Sequence, residues 1–198
     1  KFVAFFVFLF TILGYVAAVT ALAGPIIYKQ ERVYTSRGTD ILFVLDISPS
    51  MAAQDMNGSN RLESAKNAIN YIVENNTGAS FGVVAMAAES AVVVPPTMDH
   101  ALFLQRMNDI PIGNLGDGTA IGVGLSTAIY HLAASSAPKK CIVLITDGEN
   151  NAGAIHPETA AELTASQNIT LYTLGVGSKG SAPIEYIDPK TNKKYSGY

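Results

Sequence analysis

Hydrophobic positions change their spacing several times along the chain, and each change marks an element. From Phe2 to Tyr28 the sequence runs 27 residues without a charge, nearly all Phe, Val, Leu, Ile and Ala. In a helix, about 20 such residues cross a hydrocarbon core of roughly 30 Å, so residues 1–28 are predicted to form a transmembrane helix. The competing reading is a secretory signal peptide, because Ala21-Leu22-Ala23 resembles a small-residue cleavage site. The apolar run exceeds the usual signal core of about 7–15 residues, which favours a retained anchor. Residues 29–40 turn polar and read as a stalk.

Beyond the stalk the pattern alternates between covered strands and amphipathic helices. Ile41-Leu42-Phe43-Val44-Leu45 and Cys141-Ile142-Val143-Leu144-Ile145 are continuous apolar runs, as expected of strands buried on both faces of a parallel sheet. Phe81 to Ala85 and Ala91 to Val94 are shorter strands, the second expected to stop at Pro95-Pro96. Asn60 with Glu63 three residues on predicts a helix start, after which Leu62, Ala65, Ile69, Ile72 and Val73 share one face. A short helix is expected around Ala101–Met107, one opening at Thr119 with Ile121, Leu125, Ile129 and Leu132 inward, and one over Pro157–Gln167. Thr170 to Val176 completes the strands, and residues 183–198 read as a hairpin. This order predicts a doubly wound, mostly parallel α/β sheet flanked by helices over residues 41–198. Lys1 in place of Met, and a sheet ending in a hairpin without a covering helix, predict that both ends are truncated.

Composition narrows the chemistry. Lys and Arg number 13 against 16 Asp and Glu, a net charge of −3, so no basic footprint for nucleic acid is present. A single Cys excludes a disulfide framework and a thiolate zinc site. His100, His131 and His156 lack ligand spacing, so any metal must be held by oxygen. Gly175-x-Gly177-x-x-Gly180 matches a dinucleotide fingerprint literally, but Pro183 and the hairpin follow it where a helix is required, and it reads as a turn.

In open α/β sheets ligands sit beyond the carboxyl ends of the strands where strand order reverses. The two most apolar strands end in Asp46-Ile47-Ser48-Pro49-Ser50 and in Thr146-Asp147-Gly148, and Gly116-Asp117-Gly118-Thr119 can reach the same mouth. Asp46, Ser48, Ser50, Thr119 and Asp147 thus form a candidate hard-oxygen site for Mg²⁺, or for Mn²⁺ or Ca²⁺. Hydroxyls would bind directly and carboxylates would hold metal-bound waters, leaving a position for a carboxylate from another molecule. The bland alternatives are turn-capping for Asp46, Ser48 and Ser50 and helix-capping for Thr119. Asp117 and Glu149 lie beside the site with weaker claims to a ligand role.

These three segments, in this order, resemble the metal-ion-dependent adhesion site of von Willebrand factor A domains. The stretches Ala21-Leu22-Ala23-Gly24-Pro25, Asp40 to Met51, Gly116 to Gly122 and Leu144 to Gly153 further resemble bacterial aerotolerance-related BatA/BatB membrane proteins. Pro49 departs from the family's usual Gly or polar residue. The resemblance implies a membrane-anchored, metal-dependent protein-binding module and no enzyme. It also implies a cell-envelope complex with other Bat proteins and a MoxR-type AAA+ ATPase, and a place in the bacterial inner (cytoplasmic) membrane. Lys29, Arg32 and Arg37 favour a cytoplasmic domain under the positive-inside rule, whereas the family layout implies a periplasmic one. The alternative function is a Mg²⁺-dependent phosphatase of haloacid-dehalogenase type, but Ser48 stands where that chemistry needs a second Asp. A purely structural domain is the third reading.

Overall fold

The covered strands predicted from the apolar runs form in a computed structural model, which describes residues 2–23, 38–56, 58–148, 150–178, 180, 182–189 and 191–197. In chain order the elements are α1 (Phe2–Leu22), β1 (Thr39–Asp46), a 3₁₀ turn (Pro49–Ala52), α2 (Arg61–Glu74), β2 (Ser80–Met86) and β3 (Ser90–Thr97). Then follow α3 (His100–Asn108), α4 (Ile121–Ala133), β4 (Lys139–Thr146), α5 (Pro157–Ser166), β5 (Thr170–Gly175), β6 (Ile184–Ile187) and β7 (Lys194–Gly197). The stretch 29–37, with the basic residues weighed for membrane orientation, lies outside the described residues, as does Glu149.

Helix α1 forms one compact unit and everything from β1 onward another. At about 1.5 Å per residue its 21 residues rise roughly 31 Å, long and apolar enough to cross a membrane. In the second unit the strand order is β3-β2-β1-β4-β5, with a separate β6-β7 hairpin. Within the five-stranded sheet, among the described residues, β1 pairs in parallel with β2 and with β4, β4 pairs in parallel with β5, and β3 alone runs antiparallel. The chain builds outward from β1 to β3 and then returns to β1's other side with β4. The reversal of strand order therefore falls between β1 and β4, whose carboxyl ends carry Asp46 and Asp147.

Alternation along β1 explains the two-faced burial. Phe43 and Leu45 join Ile69, Phe81, Phe103 and Met107 under α2 and α3. Leu42 and Val44 join Met86, Leu125, Ile129 and Leu132 under α4. On the first face the rings of Phe43, Phe81 and Phe103 lie 5.8–6.0 Å apart, all fully buried. On β5, by contrast, Tyr172 and Leu174 are exposed.

Three expectations change. β3 continues through Pro95-Pro96 to Thr97, because it is an edge strand whose missing donors cost no ladder bond inward. Its register shifts opposite Gly82, where a Cβ would come within 2.9 Å of the Pro96 nitrogen and the Val94 oxygen, so the bulge needs that glycine. Asp40, assigned to the stalk, is the second residue of β1 and buried, accepting hydrogen bonds from the Ser80 and Ser135 hydroxyls. Thr119 does not open α4. That helix starts at Ile121, whose N–H donates to Asn150 Oδ1 at 2.9 Å, so its first turn is satisfied from a distant loop.

The same loop approaches α4 closely at Gly122, where a Cβ would lie 2.0 Å from the Ile155 carbonyl oxygen. Gly122→Ala should therefore force the start of α5 away from α4. The strain should outweigh the gain in helix propensity, for a net loss of about 1–3 kcal/mol. Urea unfolding of the detergent-solubilised chain checks this; a variant as stable as the parent would show that the two backbones do not meet as described.

Candidate metal centre

Asp46 is the last residue of β1, and its side chain is completely buried. Its Oδ1 accepts the Ser48 N–H at 2.9 Å and its Oδ2 accepts the Thr146 hydroxyl from the end of β4 at 2.7 Å. The chain then turns sharply: Ile47 N donates to the Met86 carbonyl at 2.8 Å, and Met51 N to the Ser48 carbonyl at 3.0 Å. Pro49, at the first helical position, suits the fixed φ of this 3₁₀ turn, while buried Met51 and Ala52 pin its underside. The result is that Ser48 Oγ and Ser50 Oγ lie 3.0 Å apart.

Thr119 is buried and held by its backbone. Its N–H donates to Asn151 Oδ1 at 2.7 Å, its carbonyl accepts the Asn151 and Ala152 N–H groups, and Ala120 N donates to the Ala87 carbonyl at 2.8 Å. This ties Thr119 to the end of β2 and to the loop after β4 at once. Gly118, with φ of +114°, supplies the turn that delivers it. Asp46, Ser48, Ser50 and Asp147 thus lie at or just past the carboxyl ends of β1 and β4, while Thr119 lies in the α3–α4 loop, tied to the end of β2 through Ala120 and Ala87. Asp117 is exposed and lies near Tyr186 instead.

Arg61, the first residue of α2, was not anticipated. Its Nη1 donates to Asp147 Oδ2 at 3.0 Å, while Nε and Nη2 grip Asp55 at 2.7–3.2 Å. Asp55 also accepts the Ser178 N–H at 2.8 Å, which brings in the loop after β5. The readable signal was a cation in the first turn of a helix, where the dipole opposes it. Thr146, Asn150 and Asn151 were visible only as parts of a motif, because their partners lie up to 100 residues away.

The β6-β7 hairpin is fastened to the same loops. Gln54 N donates to the Pro183 carbonyl at 2.9 Å, and Ala53 bridges Ile184. The Tyr186 ring packs over Gly113, whose N–H donates to the Ile47 carbonyl at 2.8 Å. Tyr186 stacks on Tyr195 with centroids 5.2 Å apart. Burial, reinforced by Asp117, raises the Tyr186 hydroxyl above its ordinary pKa.

Electrostatically the mouth is asymmetric. Burial raises the Asp46 carboxyl above the usual carboxylate range, against hydrogen bonds from Ser48 and Thr146 that favour its charge; nearby Asp147 adds to the rise. Arg61 holds Asp55 well below that range. No group of three or more His, Cys, Asp or Glu side chains arranged to hold a metal ion occurs among the described residues, so the candidate donors are hydroxyls with two carboxylates. That set fits a hard divalent ion. Two neighbouring ligands of an octahedral ion with bonds of about 2.1 Å lie about 3.0 Å apart, the separation of the Ser48 and Ser50 oxygens. A cation beside Asp46 would also offset the cost of burying its charge.

The comparisons agree with this architecture. Residues 41–149 match the model of the von Willebrand factor type A domain. An uncharacterised protein of Borreliella burgdorferi is 38% identical over 193 residues, covering 98% of this chain and 56% of that protein. Among solved structures, a conserved hypothetical protein BatB from Bacteroides thetaiotaomicron superposes with a TM-score of 0.70 at 31% identity, over 80% of this chain and 75% of that one. An aerotolerance-related membrane protein from Bacteroides fragilis gives 0.70 at 30%, over 81% of each. Proximal thread matrix protein 1 from the mussel byssus, solved with a zinc-occupied MIDAS motif, gives 0.59 at 26%, over 74% of this chain and 37% of that one. The chain spans about half the length of the curated relatives it matches.

The Asp55–Arg61 pair fixes a pH dependence. A carboxyl whose folded-state pKa is depressed stabilises the fold above its unfolded value of about 3.9, and this contribution is lost as pH falls through the folded value. Asp55→Asn should therefore flatten the acid limb of stability against pH below about 4 and leave the neutral region's slope unchanged. Denaturant titrations at a series of pH values measure this; an acid limb as steep as the parent's would assign the dependence elsewhere.

Proposed function

Because the chain belongs to the von Willebrand factor type A domain family, we propose that it is a membrane-anchored binding module whose mouth holds a divalent cation and offers it to a protein partner's carboxylate. One observation carries the reading: two hydroxyls at octahedral-edge spacing beside a fully buried carboxylate at the reversal of strand order. Ser48, Ser50 and Thr119 would hold the ion directly, with Asp46 and Asp147 binding its waters. A bound Mg²⁺ would supply a Lewis-acidic position completed by an Asp or Glu from outside. The residues' own tasks are orientation and water control: Thr146 fixes one oxygen of Asp46, the 3₁₀ turn aims both serines, and Asn151 holds Thr119.

Likeness to BatB and to an aerotolerance-related membrane protein supports a role in a Bat-type envelope complex; other Bat proteins and a MoxR-type AAA+ ATPase are the partners we propose for it. The length and composition of α1 support membrane anchoring; placement in the inner membrane with the domain on the periplasmic side follows the layout of the Bat family and rests on that likeness alone. The zinc-occupied motif of the byssus protein supports metal capture by this kind of mouth. Phosphatase chemistry of the haloacid-dehalogenase type is disfavoured. Ser48, two residues after Asp46, offers a hydroxyl hydrogen-bonded to Ser50 in place of a general acid.

Titration calorimetry of the detergent-solubilised chain with Mg²⁺ or Mn²⁺ tests the site. Asp46→Ala and Ser48→Ala should abolish the binding heat while far-ultraviolet circular dichroism is retained. Saturating metal at about 100 times Kd should stabilise the parent by about 2.7 kcal/mol and the variants not at all. An affinity unchanged in Asp46→Ala would sink the assignment.

A further inference from the structure

We infer that Arg61 is a built-in rival of the divalent ion: its guanidinium occupies Asp147 and, counterbalanced by Asp55, sets how tightly the mouth takes metal. The inference rests on the metal-site reading above and adds a residue that the adhesion-site motif does not contain.

The geometry is that of a built device. Arg61 spends its fork on Asp55, with Nε at 3.1 and 3.2 Å and Nη2 at 2.7 Å, and its remaining terminal nitrogen on Asp147 at 3.0 Å. The three side chains are 16%, 6% and 7% exposed, so the charges meet largely out of water and each counts for more than a surface pair would. The sequence gives up something for this arrangement. A cation in the first turn of α2 opposes the helix dipole, a placement that its two carboxylate partners must offset. Gly177 yields as well, because at φ of +128° its backbone passes so close that a Cβ would lie 3.0 Å from Arg61 Nε. Ser178 closes the arrangement by donating its N–H and its hydroxyl to Asp55 Oδ2 at 2.8 and 3.2 Å.

The consequence follows from charge. Two carboxylates, Asp55 and Asp147, share one guanidinium. A divalent ion entering between Ser48, Ser50 and Asp147 meets an Asp147 already neutralised by Arg61, and is repelled by the same cation. Asp55 opposes that repulsion without touching the candidate donors. The two partners of the pair should thus act on metal affinity with opposite signs. A purely structural tie predicts the same sign for both, since breaking either end loosens the same loops.

The test uses the full chain in detergent, with Mn²⁺ alone as probe in titration calorimetry. Arg61→Gln should bind Mn²⁺ about tenfold more tightly than the parent, and Asp55→Asn about tenfold more weakly. Arg61→Lys keeps the charge and should stay within about threefold of the parent. Circular dichroism reports whether each variant folds. If Arg61→Gln does not fold, Asp55→Asn and Arg61→Lys decide: weakening in the first with near-parental affinity in the second supports the inference, and any other pattern overturns it. Weakening in all three variants, or no tightening in a folded Arg61→Gln, overturns the inference and leaves the metal site standing. Binding by neither the parent nor Arg61→Gln overturns both.

Discussion

The burial of one carboxylate organises this domain. Asp46 ends the central strand with no solvent exposure, so its charge must be met from within. Ser48 meets it from the following turn and Thr146 from the end of β4, 100 positions later. The Thr146 bond ties the end of β4 to the end of β1 at the point where strand order reverses, and the Ser48 bond folds the following turn back onto the same carboxylate. The loops then have little freedom left. The 3₁₀ turn must bring Ser48 back under Asp46, which leaves its hydroxyl 3.0 Å from that of Ser50. Asp147, one residue past Thr146, is delivered beside them. A site of this kind is the consequence of satisfying a buried charge at a strand end.

The way the chain announces this is uneven. Strands β1 and β4 were legible because burial on both faces demands unbroken apolar residues, and α2 because Asn60 caps Glu63 within three residues. The five candidate donors were legible because they sit in short motifs, four at strand ends and Thr119 just before α4. What escaped notice depends on partners far apart in sequence. Lys66 lies on the buried face of α2 and is 5% exposed, because its ammonium reaches the Asn108 carbonyl at the end of α3, 2.9 Å away. Asp40 looks like the end of a polar stalk until Ser80 and Ser135 are brought around it. Thr119 looks like an ordinary helix cap until Asn150 and Asn151 take over the first turn of α4. In each case local grammar gave the commoner answer, and a long-range hydrogen bond supplied another.

That displacement of Thr119 bears on function. A threonine serving as N-cap would spend its hydroxyl on its own helix. Here two asparagines from the β4–α5 loop satisfy the Thr119 and Ile121 N–H groups, so the helix start does not depend on that hydroxyl. The hairpin shows the same economy. β6 attaches through backbone bonds to Ala53 and Gln54, just past the 3₁₀ turn, while Tyr186 lies on Gly113, itself bonded to Ile47. Any shift of the serine loop must therefore move the hairpin with it, and the stacked pair Tyr186–Tyr195 moves as part of that hairpin.

A mouth assembled mainly from neutral hydroxyls is weak toward metal when compared with a cage of carboxylates, and that weakness is useful in a binding module. An ion neutralised by several acids would have little left to offer a partner. In this domain the acids nearest the mouth are already engaged. Asp46 is buried against Thr146 and Ser48, and Asp147 is shared with Arg61. The positive charge of a bound ion would thus remain incompletely compensated by the domain, and an external carboxylate would be the cheapest group to complete it. In the proposed reading, metal and partner would then be coupled through charge: each would make the other's binding more favourable. The guanidinium of Arg61 enters the same balance from the other side, since whatever it withholds from the ion at Asp147 increases the ion's demand for a carboxylate from outside.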